Sequence, residues 1–326
     1  MRGLSNRATA AVFLGIATLL GIASWKAHIP LLLADRFLPG SGIVEILLLA
    51  CYGVWIHGLL EDPRRSAIIR GRIWGLFSTV FFLQLTLGLA GFDRFLMTGT
   101  LHLPVPALIV GGPLYRGEGL FMPMLYGATL LLAGSAWCSH LCYIGACDHA
   151  CAASKPRPQA QIPSGFPWFR AITLALTVVV ALGFRQFGVG REPAIATAAL
   201  FGAGGIAVML IFSRRRGVMM HCTSYCPIGF LSTTLGRLNP FRVRISPACD
   251  GCAACSRACR YGALQPEHLA QRAPGTTCTL CGDCLGACAR GNLGYTFPGL
   301  DQAAARRLFL AVIVILHAVF LGVARI

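Results

Sequence analysis

Residues 42–60 read GIVEILLLACYGVWIHGLL, nineteen positions that include one acidic residue, Glu45, and one histidine, His57. At about 1.5 Å of rise per residue such a helix is roughly 28 Å long, close to the ~30 Å hydrocarbon thickness of a bilayer. The same pattern recurs on both sides. Stretches 8–24, 73–91, 120–137, 169–187, 194–212 and 308–323 have the same apolar character, which together predicts seven transmembrane helices. Of the 326 residues, 56% are hydrophobic and only 12% charged, too apolar for a soluble globular chain. The first stretch follows Arg2 and Arg7, as a signal peptide would. It is long for a signal h-region, however, and no A-x-A-like cleavage site follows before Trp25 and Lys26, so an uncleaved helix is expected.

Charge gives the expected orientation. Arginine and lysine in short loops are retained on the cytoplasmic side. With seven alternating crossings, Arg2, Arg7, Arg64, Arg65, Arg70, Arg72, Lys155, Arg157, Arg214, Arg215, Arg216, Arg306 and Arg307 all fall on one face. The N-terminus and every cysteine motif are then cytoplasmic, the C-terminus is outside, and the location is a bacterial-type inner membrane. The net charge of +16 follows from this topology. No nucleic-acid-reading module accompanies it, so no nucleic-acid partner is expected.

All of the 15 cysteines but Cys51 stand at metal-ligand spacings on the reducing side, where disulfides are rare. Residues 249–259 read CDGCAACSRAC and residues 278–288 read CTLCGDCLGAC. Both are C-x-x-C-x-x-C-x-x-x-C, the spacing that holds 4Fe-4S clusters in bacterial ferredoxins, where the fourth cysteine of each run serves the other cluster. Cys249, Cys252, Cys255 and Cys288 are therefore assigned to one cluster, and Cys278, Cys281, Cys284 and Cys259 to the other. Zinc also takes four thiolates at C-x-x-C spacing, but the exact repetition of a four-cysteine run favours two cubanes. Arg260 and Ala289 stand where proline usually follows the fourth cysteine. Arg257, Arg260 and Arg290, close to the cysteines, would favour the reduced, more negative state.

A second repeat lies at the membrane edge. Residues 138–146 read CSHLCYIGA and 222–230 read CTSYCPIGF, both C-[ST]-x-x-C-x-I-G. Each follows an outward-to-inward helix, so the third and fourth helices and the fifth and sixth form parallel repeats of a helical hairpin. If each C-x-x-x-C lies on a helical turn, its sulfurs share a face, and Cys138, Cys142, Cys222 and Cys226 can together hold iron or an iron–sulfur centre. Thiol chemistry and plain packing are the alternatives. Cys147 and Cys151, flanking His149, are further candidate ligands without a counterpart in the second repeat, and Cys51 is expected in the core.

With membrane-edge cysteine repeats followed by an eight-cysteine segment, residues 121–297 resemble the NapH and NosR group of membrane iron–sulfur proteins. That resemblance implies a quinol dehydrogenase membrane component. The group's C-x-x-x-C-P motif is matched in full by Cys222–Pro227, whereas the first copy has Tyr143 in place of the proline. The extracytoplasmic flavin domain of NosR-type proteins is absent from the sequence, which places any flavin on another subunit or elsewhere in the chain.

Residues 92–119, broken by Pro104, Pro106 and Pro113, are too irregular for a spanning helix and too apolar for a solvated loop. A re-entrant segment is expected, since irregular backbone at membrane depth is tolerated only against protein or a cavity. A quinone head group there would meet His102, Arg94, Tyr115, Arg116 and Glu118; an interfacial plug reaching lipid headgroups is the plainer alternative. The run at 97–100, MTGT, faintly matches threonine sites that carry esterified flavin, and His57 and His317 are candidate ligands for b-type haem.

The expected architecture is an all-α polytopic membrane protein with a small α+β ferredoxin-like insert: a two-helix segment at 1–72, a repeat core at 73–240, the two-cluster segment at 241–300 and a last helix at 301–326. The expected function is electron transfer between the quinone pool or a cytoplasmic donor and a partner redox protein, such as an extracytoplasmic reductase. The rival is a redox-sensing or metallocofactor-assembly protein without quinone turnover.

Overall fold

The computed structural model describes residues 6–27, 29–96, 103–155 and 166–323. The main helices are α1 (Asn6–Lys26), α2 (Gly42–Leu60), α3 (Pro63–Leu89), α4 (Leu108–Arg116), α5 (Phe121–Ala133), α6 (Tyr143–Ala153), α7 (Phe166–Gln186), α8 (Arg191–Val208) and α9 (Pro227–Leu235). Strand β1 (Arg242–Ile245), helices α10 (Ala254–Ala258) and α11 (Asp283–Ala287), strand β2 (Leu293–Thr296) and helix α12 (Gln302–Val323) complete the order. Among the described residues, seven helices are long and apolar enough to cross a membrane: Arg7–Lys26, Gly42–Leu60, Pro63–Leu89, Phe121–Ala153, Trp168–Gln186, Arg191–Arg216 and Gln302–Val323. Their outward faces carry exposed Leu14, Leu48, Trp55, Leu176 and Leu200. This is the build of a multi-pass helical membrane protein, in which lipid solvates the apolar surface.

The chain divides into two compact units, residues 1–102 with 299–326, and residues 103–298. In the first, α1, α2 and α12 pack on one another and α3 packs on α2. Gly53 of α2 lets Ile16 of α1 approach so closely that a Cβ would collide with its side chain, the small-residue crossing typical of membrane helices. Arg306 caps the end of α2, donating to the carbonyls of Glu61 at 2.6 Å and Leu60 at 2.7 Å. Helix α3 begins ten residues before the expected position 73, because Asp62 accepts from Arg64 N at 2.9 Å as N-cap and Pro63 takes the first turn. The arginines that looked like loop are helical: Arg70 is buried and lies over the Trp74 ring, 5.2 Å from its centroid. Cys51 is exposed on α2 rather than in the core, because its helix face looks outward.

In the second unit, α7 packs against both α4 and α9, and β1 and β2 form an antiparallel ribbon pairing Arg242 with Thr296 and Ile245 with Leu293. The expected fourth span continues past its C-x-x-x-C as Phe121–Ala153, interrupted where Gly134 adopts φ +61°. Asn239 covers that break, its side-chain amide donating to the carbonyls of Leu131 at 2.7 Å and Leu132 at 2.9 Å. The proline-broken stretch expected to be re-entrant contains α4, ended by Gly117 in the left-handed region.

Candidate functional site

The two four-cysteine runs adopt one backbone twice. Gly251 and Leu280, each just before the second cysteine, have positive φ (73° and 53°), as do Ala253 and Gly282 just after it (56° and 81°). The third cysteine then enters a five-residue helix, α10 or α11, and the fourth ends it in an extended conformation. Three residues later Gly262 and Gly291 turn left-handed, at 60° and 66°.

Hydrogen bonds cross the repeat. Ala263 N donates to Cys259 Sγ at 3.3 Å, and Ala263 O accepts from Gly275 N at 2.8 Å, three residues before Cys278. In the other half Asn292 N donates to Cys288 Sγ at 3.3 Å, and Asn292 O accepts from Ser246 N at 2.7 Å, three residues before Cys249. Asn292 also donates through its side chain to Ala248 O, and Arg290 pairs with Asp250 at 2.8 Å. The fourth cysteine of each run is thus held beside the opening loop of the other. Cys259, Cys278, Cys281 and Cys284 line a common cavity with Tyr261 and Leu280. Burial pushes the Cys259 thiol up to about 12, with Cys278 nearby adding to the effect, and raises Cys284 well above the ordinary thiol range.

The membrane-edge cysteines also converge. Cys138, Cys142, Cys222 and Cys226 lie within electrostatic reach of one another, and burial is the main cause that raises the Cys226 thiol. They do not arrive as neighbours on a continuous α-helix. Cys138 sits in the single turn Trp137–His140 and Cys222 in a π-helical turn, His221–Tyr225. The chain then turns extended at Cys142 and Cys226, which become the N-caps of α6 and α9. Gly145 N donates to Cys142 Sγ at 3.4 Å, and the amides of Ile228 and Gly229 act favourably on the Cys226 sulfur without a capping hydrogen bond. This explains the I-G of the repeat: its amides face sulfur. A Cβ on Gly229 would stand 2.7 Å from Cys222 O.

Two charged residues that sequence reasoning passed over sit at this site. Arg170 of α7 is only 2% exposed and donates to Gly229 O at 3.0 Å. Its guanidinium acts electrostatically on Cys138, Cys226 and Cys222. Asp148 of α6 is fully buried and accepts from Cys222 N at 3.0 Å. An isolated arginine in an apolar helix is itself a functional signal, so Arg170 was there to be found.

The eight-cysteine segment meets the membrane-edge site directly. Ser139, next to Cys138, donates from its hydroxyl to Thr279 O at 2.9 Å, next to Cys278. Arg260, next to Cys259, donates to the carbonyls of Ala152 (2.7 Å), Gly217 (3.0 Å) and Lys155 (3.0 Å). That explains why proline, which has no such donors, does not stand there.

The remaining candidates are more scattered. Cys147 and Cys151 lie one turn apart on α6, half-buried. Tyr115 donates its hydroxyl to Val189 O at 2.8 Å, Arg116 folds back towards Gly112 and Gly119, and Glu118 is exposed. Arg94 belongs to the other unit, over the Phe37 ring at 5.9 Å, while His102 and residues 97–100 lie outside the described residues. His57 and His317 are buried in the first unit, His317 in hydrogen-bond contact with Tyr52 at 3.2 Å. Among the described residues, no three His, Cys, Asp or Glu side chains converge tightly enough to hold a single metal ion. Comparisons with protein-family models, with curated proteins and with solved structures return no match.

Proposed function

We propose that this chain is a membrane-bound iron–sulfur electron-transfer protein, similar in role to the quinol dehydrogenase components of the NapH and NosR group. It would pass electrons between the quinone pool or a cytoplasmic donor and a partner redox protein. The carrying observation is the reciprocal placement of Cys259 and Cys288, each beside the opening loop of the opposite four-cysteine run.

Supporting this reading, the eight cysteines form two quartets of the kind that 4Fe-4S clusters take, one of them lining a common cavity. Bound there, a cubane supplies reversible one-electron storage, tuned by hydrogen bonds to its sulfurs. The chain supplies those bonds through Ala263 N and Asn292 N. Buried thiols such as Cys259 stay protonated at neutral pH until a metal displaces the proton. At the membrane edge, Cys138, Cys142, Cys222 and Cys226 offer a third, four-thiol set with Arg170 to offset its charge. In this proposal the N-terminus and all cysteine motifs face the cytoplasm of a bacterial-type inner membrane.

The test is anaerobic purification with iron and acid-labile sulfide analysis, EPR of the reduced protein, and reduction by a quinol in proteoliposomes. About eight or more irons per chain are expected. A colourless protein that binds zinc would sink the proposal, and clusters that no quinol reduces would remove the quinone from it.

A further inference from the structure

The two cysteine runs share a backbone but not an environment. In the first, Ala248, Asp250, Gly251 and Cys252 are all exposed; at the equivalent positions of the second, Thr277, Thr279 and Leu280 are buried and Cys281 is half-buried. The cover over the second run is specific. Ser139 holds Thr279 O, and the Tyr295 hydroxyl donates to Leu280 O at 2.7 Å. Among the described residues no such cover lies over Cys252, whose O is reached by the exposed Arg257 at 3.5 Å and whose neighbour Asp250 pairs with the exposed Arg290.

We infer that the two four-thiol sets have distinct stations. The set containing Cys252 is the port that meets a small soluble one-electron carrier of the ferredoxin or flavodoxin class, with the exposed Arg257 facing that carrier's acidic rim. The set containing Cys278 is the internal station, connected to Cys138 through Thr279 and Ser139. In each exchange one electron crosses the port, the carrier changes by one oxidation level, and no bond or proton at the cysteines changes. Electron tunnelling weakens steeply with distance, so the exposed loop is the short route for a soluble partner and the covered loop the short route to the membrane edge. This rests on the iron–sulfur proposal above, which it deepens by assigning each set a neighbour.

The experiment uses the full chain, purified anaerobically and reduced, with ferricyanide as the probe: a trianionic, water-confined one-electron oxidant. Stopped-flow bleaching is expected in two phases, the faster at least about tenfold ahead. Arg257→Glu should slow the fast phase about threefold or more at low ionic strength and lose that effect in high salt. The slow phase should stay the same, and Ser139→Ala should leave the fast phase unchanged. A single phase, or an Arg257→Glu effect on the slow phase, overturns the assignment while about eight irons per chain leave the iron–sulfur proposal standing. A protein with far fewer irons overturns both.

Discussion

The guanidinium of Arg260 donates to the carbonyl of Ala152 at 2.7 Å, tying the end of the first cysteine run to the end of α6, 108 positions earlier in the chain. Two further carbonyls, of Gly217 and Lys155, complete the clamp. A charged hydrogen bond contributes about 1.5–3 kcal/mol, and several made by one guanidinium do not add. Arg260→Ala should therefore lower stability by roughly 2–3 kcal/mol and raise amide exchange across 249–263. Arg260→Lys should recover only part, since a point charge cannot reach three carbonyls as a planar fork does. Unchanged exchange in the alanine variant would mean the clamp does not hold the segment.

Gly229 marks the closest backbone approach in the membrane-edge site. Gly229→Ala forces a methyl against Cys222 O and should cost about 1–3 kcal/mol, with loss of any metal held by Cys222 and Cys226. Gly127, in α5 with open space around its Cβ position, is the control: Gly127→Ala should be neutral or stabilising by up to about 1 kcal/mol. Thermal unfolding in detergent compares them, and equal losses would contradict the steric account.

Arg170 places a positive charge beside three of the four membrane-edge sulfurs. Arg170→Gln should shift the midpoint potential of a centre bound there to more negative values, because the reduced form loses its countercharge. Arg170→Lys should shift it less. Redox titration followed spectroscopically checks both, and a potential indifferent to Arg170→Gln would remove the residue from the site's electrostatics.

Iron removal should act unevenly. The segment 241–298 contains two four-residue strands and three five-residue helices, too little regular structure to persist alone. Chelation under reducing conditions should abolish exchange protection there while far-UV dichroism from the seven long helices changes little. Global collapse of helicity would contradict this division.

The long helices were legible because hydrophobic run length is a local property: 42–60 appears at the same bounds in sequence and structure. The start of α3 was missed where four arginines obscured the Asp62–Pro63 capping signal. At the site, cysteine spacing singled out thiols that the fold also brings near one another, because each run builds the same local loop and short helix. Arg170 and Asp148 reach them only through tertiary packing, 59 positions from Gly229 and 74 from Cys222, which no short pattern encodes. The break at Cys142 and Cys226 was likewise invisible to a helical-spacing argument: both turn extended as N-caps, and at Cys142 sulfur takes the capping role usually filled by an oxygen side chain.

Under the iron–sulfur proposal, Cys259 and Cys288 are exchanged between the two runs, beside whose opposite opening loops they stand, and the runs interlock. A polypeptide cut between them would keep an intact motif in each fragment and yet possess no complete donor quartet in either. On that reading a lesion in one half disarms its twin as well, and the two runs stand or fall as a single object.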